Sequence, residues 1–191
     1  MFHISAAPKE NPKIAYLLIL HGRSIRQINR LLKRIYTKED YFYIHIDSRS
    51  EYLYEEMKYL DQIENIHLTK QRFAAIWAGT SLLDMMSNAM REMLHLKWNF
   101  DFFVNLSGAD YLLKHPKYFK KYLRKNMGKN FVWNVRNNVR KNKKGGFLFT
   151  FKECGEHLYN LGPRSLPKGA KFVQGSDWII LSKAFIGKVS H

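Results

Sequence analysis

The sequence is short of cysteine, of acid and of long apolar runs. A single cysteine, Cys154, in 191 residues can close no bridge within the chain, which excludes an internal disulfide framework and a paired-cysteine zinc site. In a secretory setting that thiol is expected to be buried, or paired with a cysteine this chain lacks. The longest apolar run, Ile14-Ala-Tyr-Leu-Leu-Ile-Leu20, reads as a core strand, since a membrane span needs about 20 residues. Met1 to Lys13 holds no apolar h-region, so no signal peptide is legible. Five prolines and 15% aromatics argue against a disordered or low-complexity chain. Glycine-rich nucleotide loops are missing as well: HGRSIRQ, after the first strand, holds one glycine and matches neither G-x-G-x-x-G nor a Walker lysine loop. H-E-x-x-H and G-x-S-x-G are also absent. Asp and Glu number 16 against 32 Lys and Arg, a net charge of +16 with a pI near 9.9, and such a field favours anionic partners of any class.

What is present is a regular alternation. At 46% hydrophobic, the chain can bury one sizeable core. Lys13–Leu20 reads as a buried strand. Ser24–Tyr36 is a helix carrying Ile25, Ile28, Leu31, Leu32 and Ile35 at helical spacing. A strand at Tyr41–Ile46, a helix at about Glu51–Gln62 and a short strand at Ile66–Leu68 follow. A longer helix runs from Gly79-Thr80 to about Leu96. Its Leu82, Leu83, Met86, Met90 and Met93 are expected on one core-facing side rather than in a cofactor box. Asp101–Leu106 reads as another buried strand, and Pro116–Lys125 as a short helix with proline at its start. The pattern implies an α/β fold with βαβ units and a mostly parallel sheet.

In such sheets ligands bind beyond the carboxyl ends of the strands, which directs attention to His21-Gly22-Arg23, Asp47, the Ile76-Trp77 region and Ser107-Gly-Ala-Asp110. Asp47 ends the strand YFYIHI. It is placed either to accept from a ribose hydroxyl or base N–H, or to serve as a cap or turn residue for the helix at Glu51. His45 shares its face and lacks a third partner for a metal, so it reads as a core or hydrogen-bonded histidine. Asp110 is a lone acid where nucleotide-sugar transferases often carry a carboxylate pair; alone it is a poor metal site, and a loop cap serves as well. Trp178, in Gly175-Ser176-Asp177-Trp178, can stack on a ligand or begin a core strand, and Trp178–Leu181 reads as that strand. From Tyr111 to Lys152 there is no acid among 13 Lys and Arg. The densest part, Arg136–Gly146, reads as a basic loop, and its Arg140, Lys141, Lys143 and Lys144 are candidates for steering an acidic partner.

The stretches LILHGRSIRQINRLLKRIYTKEDYFYIHIDSRSEYL, RFAAIWAGTSLLDMM, WNFDFFVNLSGADYLL, FKECGEHLYNLG and GSDWIILSKAF together resemble the catalytic domain of peptide O-xylosyltransferases. These belong to the wider core-2/I-branching N-acetylglucosaminyltransferase family, and the likeness runs from about Lys13 to the end. It implies an N-terminal extension at 1–12 and, at 13–191, part of a catalytic domain with a GT-A type nucleotide-sugar fold. The implied reaction is inverting transfer of xylose from UDP-xylose to serine of acidic, Ser-Gly-containing proteoglycan core proteins, which starts the heparan and chondroitin sulfate linker. The implied donor pocket falls on Ile19, Asp47, Ala75, Ile76, Trp77, Asp177 and Trp178, with Asp47 holding the ribose or uracil and no D-x-D metal site or cofactor.

This chain departs from the xylosyltransferase pattern at Ala75, where a hydroxyl residue is usual, so that only a backbone contact would survive there. It departs again at Pro163-Arg164. The resemblance further implies that the catalytic carboxylate and the diphosphate-binding Arg/Lys pair lie beyond His191, so that residues 1–191 alone are inactive. It implies a Golgi type II membrane protein whose anchor precedes this segment. The rival readings are a β-1,6-N-acetylglucosaminyltransferase of the same family and a basic nucleic-acid-binding module. The module accounts for the charge but gives no role to the carboxylates and tryptophans at the sheet's edge.

Overall fold

A computed structural model describes residues 11–22, 24–135, 149–165, 168–169 and 174–189. Strand β1 (Ile14–Leu20) lies between β2 (Tyr41–Ile46) and β4 (Phe102–Ser107), and β3 (Ile66–Leu68) flanks β2; all four run parallel. The other edge is β9 (Ile180–Ser182), antiparallel to β4. The resulting order β3-β2-β1-β4-β9 is the mostly parallel α/β sheet expected from the alternation.

Period-two geometry explains why the strands read as unbroken apolar runs: both faces are covered. Ile14, Tyr16, Leu18 and Leu20 of β1 pack with α1 (Ile25–Ile35), α2 (Glu51–Met57) and α4 (Pro116–Arg124), while Ala15 and Leu17 meet α3 (Thr80–His95) and α5 (Lys183–Val189). Burying each Ile or Leu among them is worth about 1.5–3 kcal/mol before the entropy of ordering is set against it.

Three expectations need correction. The second helix stops being α-helical at Met57 and continues as a 3₁₀ turn over Lys58–Gln62. Leu83 is not on the core face of α3: it is 66% exposed, and the buried set is Met85, Met86, Ala89, Met90 and Met93. At about 100° per residue, Leu83 falls to the flank of the Met stripe. The last strand begins at Ile180 rather than Trp178, because Ile179 and Asp177 are bonded to a side chain instead of a strand. The amide of buried Asn105 donates to Asp177 O (2.8 Å) and accepts from Ile179 N (2.8 Å).

The second half adds two small antiparallel pairs, β5 (Asn134–Val135) with β8 (Gln174–Gly175) and β6 (Phe149–Cys154) with β7 (His157–Pro163). The basic stretch Arg136–Gly146, with Arg140, Lys141, Lys143 and Lys144, lies outside the described residues, as do Arg23 and most of the 1–12 extension.

At the amino ends of the strands, buried Asp40 ties three elements together. It accepts from Ile14 N (2.9 Å), from Thr37 Oγ1 (2.7 Å) and from Lys120 Nζ (2.7 Å), which reaches across from α4. Removing one partner of such a buried pair leaves the other charge uncompensated. Lys120→Ala should therefore lower the unfolding free energy by about 3 kcal/mol, read as a reduced urea midpoint at unchanged slope. A loss no larger than an exposed ion pair's, under about 1 kcal/mol, would show that water already serves Asp40.

Candidate functional site

Parallel β1, β2 and β4 bring their carboxyl ends to one edge, and a cavity of about 520 Å³ opens there. Six of the seven residues singled out from the sequence line it: Ile19, Asp47, Ala75, Trp77, Asp177 and Trp178. Ile76 is not among the lining residues; its N–H is bonded to Ser81 Oγ (2.9 Å).

Of the two roles left open by the sequence, Asp47 fills that of the turn residue. Its backbone N–H continues the ladder to Leu20 O (2.8 Å), and its carboxylate then turns the chain back on itself. Oδ1 accepts from Arg49 N (3.0 Å) and Arg49 Nε (2.8 Å); Oδ2 accepts from Arg49 Nη2 (2.7 Å) and Ala75 N (3.1 Å). A carboxylate offers about four lone-pair sites, and all are occupied. Ser50, not Asp47, is the N-cap residue of α2. Burial by itself would raise the Asp47 carboxyl, but the Arg49 guanidinium and the Arg49 and Ala75 N–H groups outweigh it and hold the group below its usual range. Ala75 is committed on both sides, since its carbonyl accepts from Arg49 Nη2 (2.9 Å). Behind the turn, Arg72 donates to the carbonyls of Ile46, Asp47 and Ser48, reaches Glu51 and lies over the Tyr54 ring.

His45 is 1% exposed and lines the same cavity. Its Nε2 accepts from Phe73 N (2.9 Å). Burial pushes the imidazole down to about 4, against an opposing pull from Asp47 and with a further push from Arg72.

Trp178 is half exposed, and its position is set by hydrogen bonds at both ends. The indole Nε1 donates to Asp110 Oδ2 (2.9 Å), which also accepts from Ser107 N and Ser107 Oγ (2.9 Å). Asp110 is thus a loop cap that also orients an aromatic wall. Trp77, 80% exposed, stands on the rim just before Ala78, whose φ is 62°.

The β6–β7 hairpin approaches the same rim through two acids. Glu153 Oε2 accepts from Ser81 N (3.0 Å) and Thr80 Oγ1 (3.2 Å), capping α3 from outside because its own N-cap residue, Gly79, has no side chain to do so. A Cβ on Gly79 would stand 2.5 Å from that carboxylate oxygen, so glycine is what admits the cap. Glu156 reaches Arg49 Nη1 at 3.4 Å. Cys154, in the same hairpin, is exposed with a free thiol, which removes the buried alternative.

The family model described as "Core-2/I-Branching enzyme" matches residues 14–190. The chain belongs to the Core-2/I-branching enzyme family. Within reach of it, "Xylosyltransferase oxt" of Drosophila melanogaster is 41% identical over 192 residues, covering 98% of this chain and 22% of the relative. "Xylosyltransferase 2" of Mus musculus is 44% identical over 182 residues (94% and 21%), and that of Homo sapiens 42% identical over 189 (96% and 22%). The chain thus spans about a fifth of the length of these relatives.

Seen on this Core-2/I-branching domain, sequence reasoning missed Arg49, Asn105, Leu82, Met86 and Glu156, all of which line the cavity. Arg49 had a legible signal, since it stands two residues after a strand-ending acid, where a side chain can fold back. Asn105 had another: it is the one amide in the apolar strand FFVNLS. Glu156 had none, because only the tertiary docking of the hairpin brings it near. Among the described residues no group of three His, Cys, Asp or Glu is arranged to hold a metal, and no helix is long and apolar enough to cross a membrane.

The depressed His45 fixes a sign for pH dependence. The unfolded imidazole, near 6.5, takes up its proton before the folded one, near 4. The group's stabilising contribution is complete well above pH 6.5 and is lost as pH falls toward 4, by about 3 kcal/mol at 1.36 kcal/mol per pKa unit. Urea unfolding of the parent and of His45→Gln at pH 7, 5.5 and 4 should show a shallower acid slope in the variant. Parallel slopes would mean that His45 takes up its proton at the same pH in the folded and unfolded chain.

Proposed function

We propose that this chain is the donor-binding part of a protein xylosyltransferase, which transfers xylose from UDP-xylose to serine hydroxyls of acidic, Ser-Gly-containing proteoglycan core proteins. The observation that carries this reading is one coincidence. The chain is 41–44% identical to proteins named xylosyltransferase, and Asp47, Ala75, Trp77, Asp177 and Trp178 share one cavity at the ligand-binding edge of the sheet. The β-1,6-N-acetylglucosaminyltransferase reading has less support, since these relatives carry the other name.

In the proposed reaction the serine oxygen attacks the anomeric carbon of xylose as the bond to the β-phosphate oxygen breaks. Configuration inverts, UDP leaves and the serine proton passes to a base. The chain's own share is to hold the nucleoside end: Trp178 supplies a flat wall braced by Asp110, and the 73–77 segment is held on the Asp47–Arg49 pair. This reading assigns the base and the cations opposite the diphosphate to groups outside residues 1–191. It needs no resident divalent metal, because Asp110 is already committed to Ser107 and Trp178. The resemblance also supports residence of the whole protein in the Golgi lumen on an N-terminal anchor.

Calorimetry of the 191-residue chain against UDP-xylose, UDP-N-acetylglucosamine and a single-stranded RNA oligomer tests this. UDP-xylose should bind best and without turnover, and Asp47→Ala should weaken it about tenfold or more by releasing Arg49 and the 73–77 segment that the carboxylate holds, charged hydrogen bonds worth about 1.5–3 kcal/mol. Preference for UDP-N-acetylglucosamine would favour the branching activity. Salt-steep RNA binding with no affinity for either sugar nucleotide would replace the reading with a nucleic-acid module.

A further inference from the structure

Among the described residues one buried side-chain polar atom has no partner, and it belongs to a residue that lines the cavity. His45 Nε2 is an acceptor, because Phe73 N–H donates to it at 2.9 Å. A neutral imidazole carries its proton on the other nitrogen, so Nδ1 is a donor. That Nδ1 is buried and makes no hydrogen bond, although His45 lines the cavity. An orphaned buried donor costs about 1–3 kcal/mol, and native structures leave few of them unexplained.

Three N–H groups of the neighbouring segment are committed elsewhere. Phe73 N–H serves His45, Ala75 N–H serves Asp47, and Ile76 N–H serves Ser81. The Asp47 carboxylate is an acceptor and is saturated by Arg49 and Ala75. The apolar part of the lining includes Ile19, which pairs with His45 between β1 and β2, together with Leu82 and Met86. A neutral donor in an apolar floor suits a flat, uncharged ring bearing a carbonyl, whereas a phosphate calls for cations. We infer that His45 reads the nucleobase: its Nδ1–H, the one buried side-chain donor without a partner among the described residues, donates to a carbonyl oxygen of the uracil. The inference rests on the donor-site reading above and adds to it the residue that selects for the base. A site built around a buried donor discriminates against ligands that cannot accept from it, because the donor is then left unpaired.

Two isosteric substitutions separate the two nitrogens. In His45→Gln the side-chain carbonyl can still accept from Phe73 N–H, but nothing donates at the Nδ1 position. In His45→Asn the amide nitrogen occupies the Nδ1 position, and the bond to Phe73 is given up. UDP is titrated into the parent chain and both variants by calorimetry, with circular dichroism confirming the fold. In parallel, the Nδ1–H resonance of the ¹⁵N-histidine-labelled parent is followed. The expected result is a loss of affinity of about tenfold or more in His45→Gln, with substantial recovery in His45→Asn. A downfield move of the parent's Nδ1–H signal should accompany UDP binding. Parent binding with His45→Gln equally tight and the Nδ1–H signal unmoved overturns the assignment while leaving the donor site standing, the proton then being served by water. No UDP binding by the parent removes the donor-site reading and this inference with it.

Discussion

The site depends on how the carboxyl end of β2 is joined to the segment 73–75. A regular ladder runs between β2 and β3 only from Phe42–Ile66 to Ile44–Leu68, and beyond it Thr69 N bonds Ile44 O. After that, side chains take over. His45 Nε2 holds Phe73 N–H, Phe73 O receives Ser48 N–H, Asp47 holds Ala75 N–H and Arg49 holds Ala75 O. This seam does the work of further strand pairing while letting the chain splay, and the splay makes room for a cavity where a flat sheet edge would have been. Its charged centre is favourable because the Asp47 carboxylate is fully hydrogen-bonded and its cation is partly open to solvent, which limits the desolvation cost.

The seam also explains why an apolar strand in a strongly basic chain finishes on an acid. Asp47 is the anchor that gives Arg49 a fixed direction, and Arg49 in turn meets Glu156 of the β6–β7 hairpin. The hairpin's firmer attachment is Glu153 at the start of α3, so the helix carrying Leu82 and Met86 into the cavity is capped by the element that borders it. On the opposite wall Asn105 and Asp110 perform a similar substitution. One amide pins the backbone of Asp177 and Ile179, and one carboxylate turns the Trp178 indole. Polar side chains on strand ends thus replace ladder bonds on both sides of the opening.

The fold was legible wherever periodicity was strong. The parallel sheet followed from seven alternating elements, and the edge at which to search followed from the sheet. Where the reading slipped, the competing physics is identifiable. Leu83 was placed by its apolar character rather than by its angle on the helix. Residues 58–62 kept a helical pattern but tightened to 3₁₀ geometry. Trp178 looked like a strand residue because apolar runs do not reveal which backbone groups a side-chain amide has claimed. Asp47, Ala75, Trp77, Asp177 and Trp178 were recognisable through motif resemblance and Arg49 had a positional cue, whereas the orphaned His45 nitrogen emerges only from the hydrogen bonds of the folded chain. No pattern of residue types records that a donor is left over.

The most direct test of the account is a crystal structure of the 191-residue chain with UDP bound. The uracil should sit between the β1–β2 floor and Trp178, with a carbonyl oxygen about 2.9 Å from His45 Nδ1 and the Asp47–Arg49–Ala75 seam intact around it. A nucleotide bound elsewhere on the chain, or in the cavity with its base turned away from His45, would contradict it.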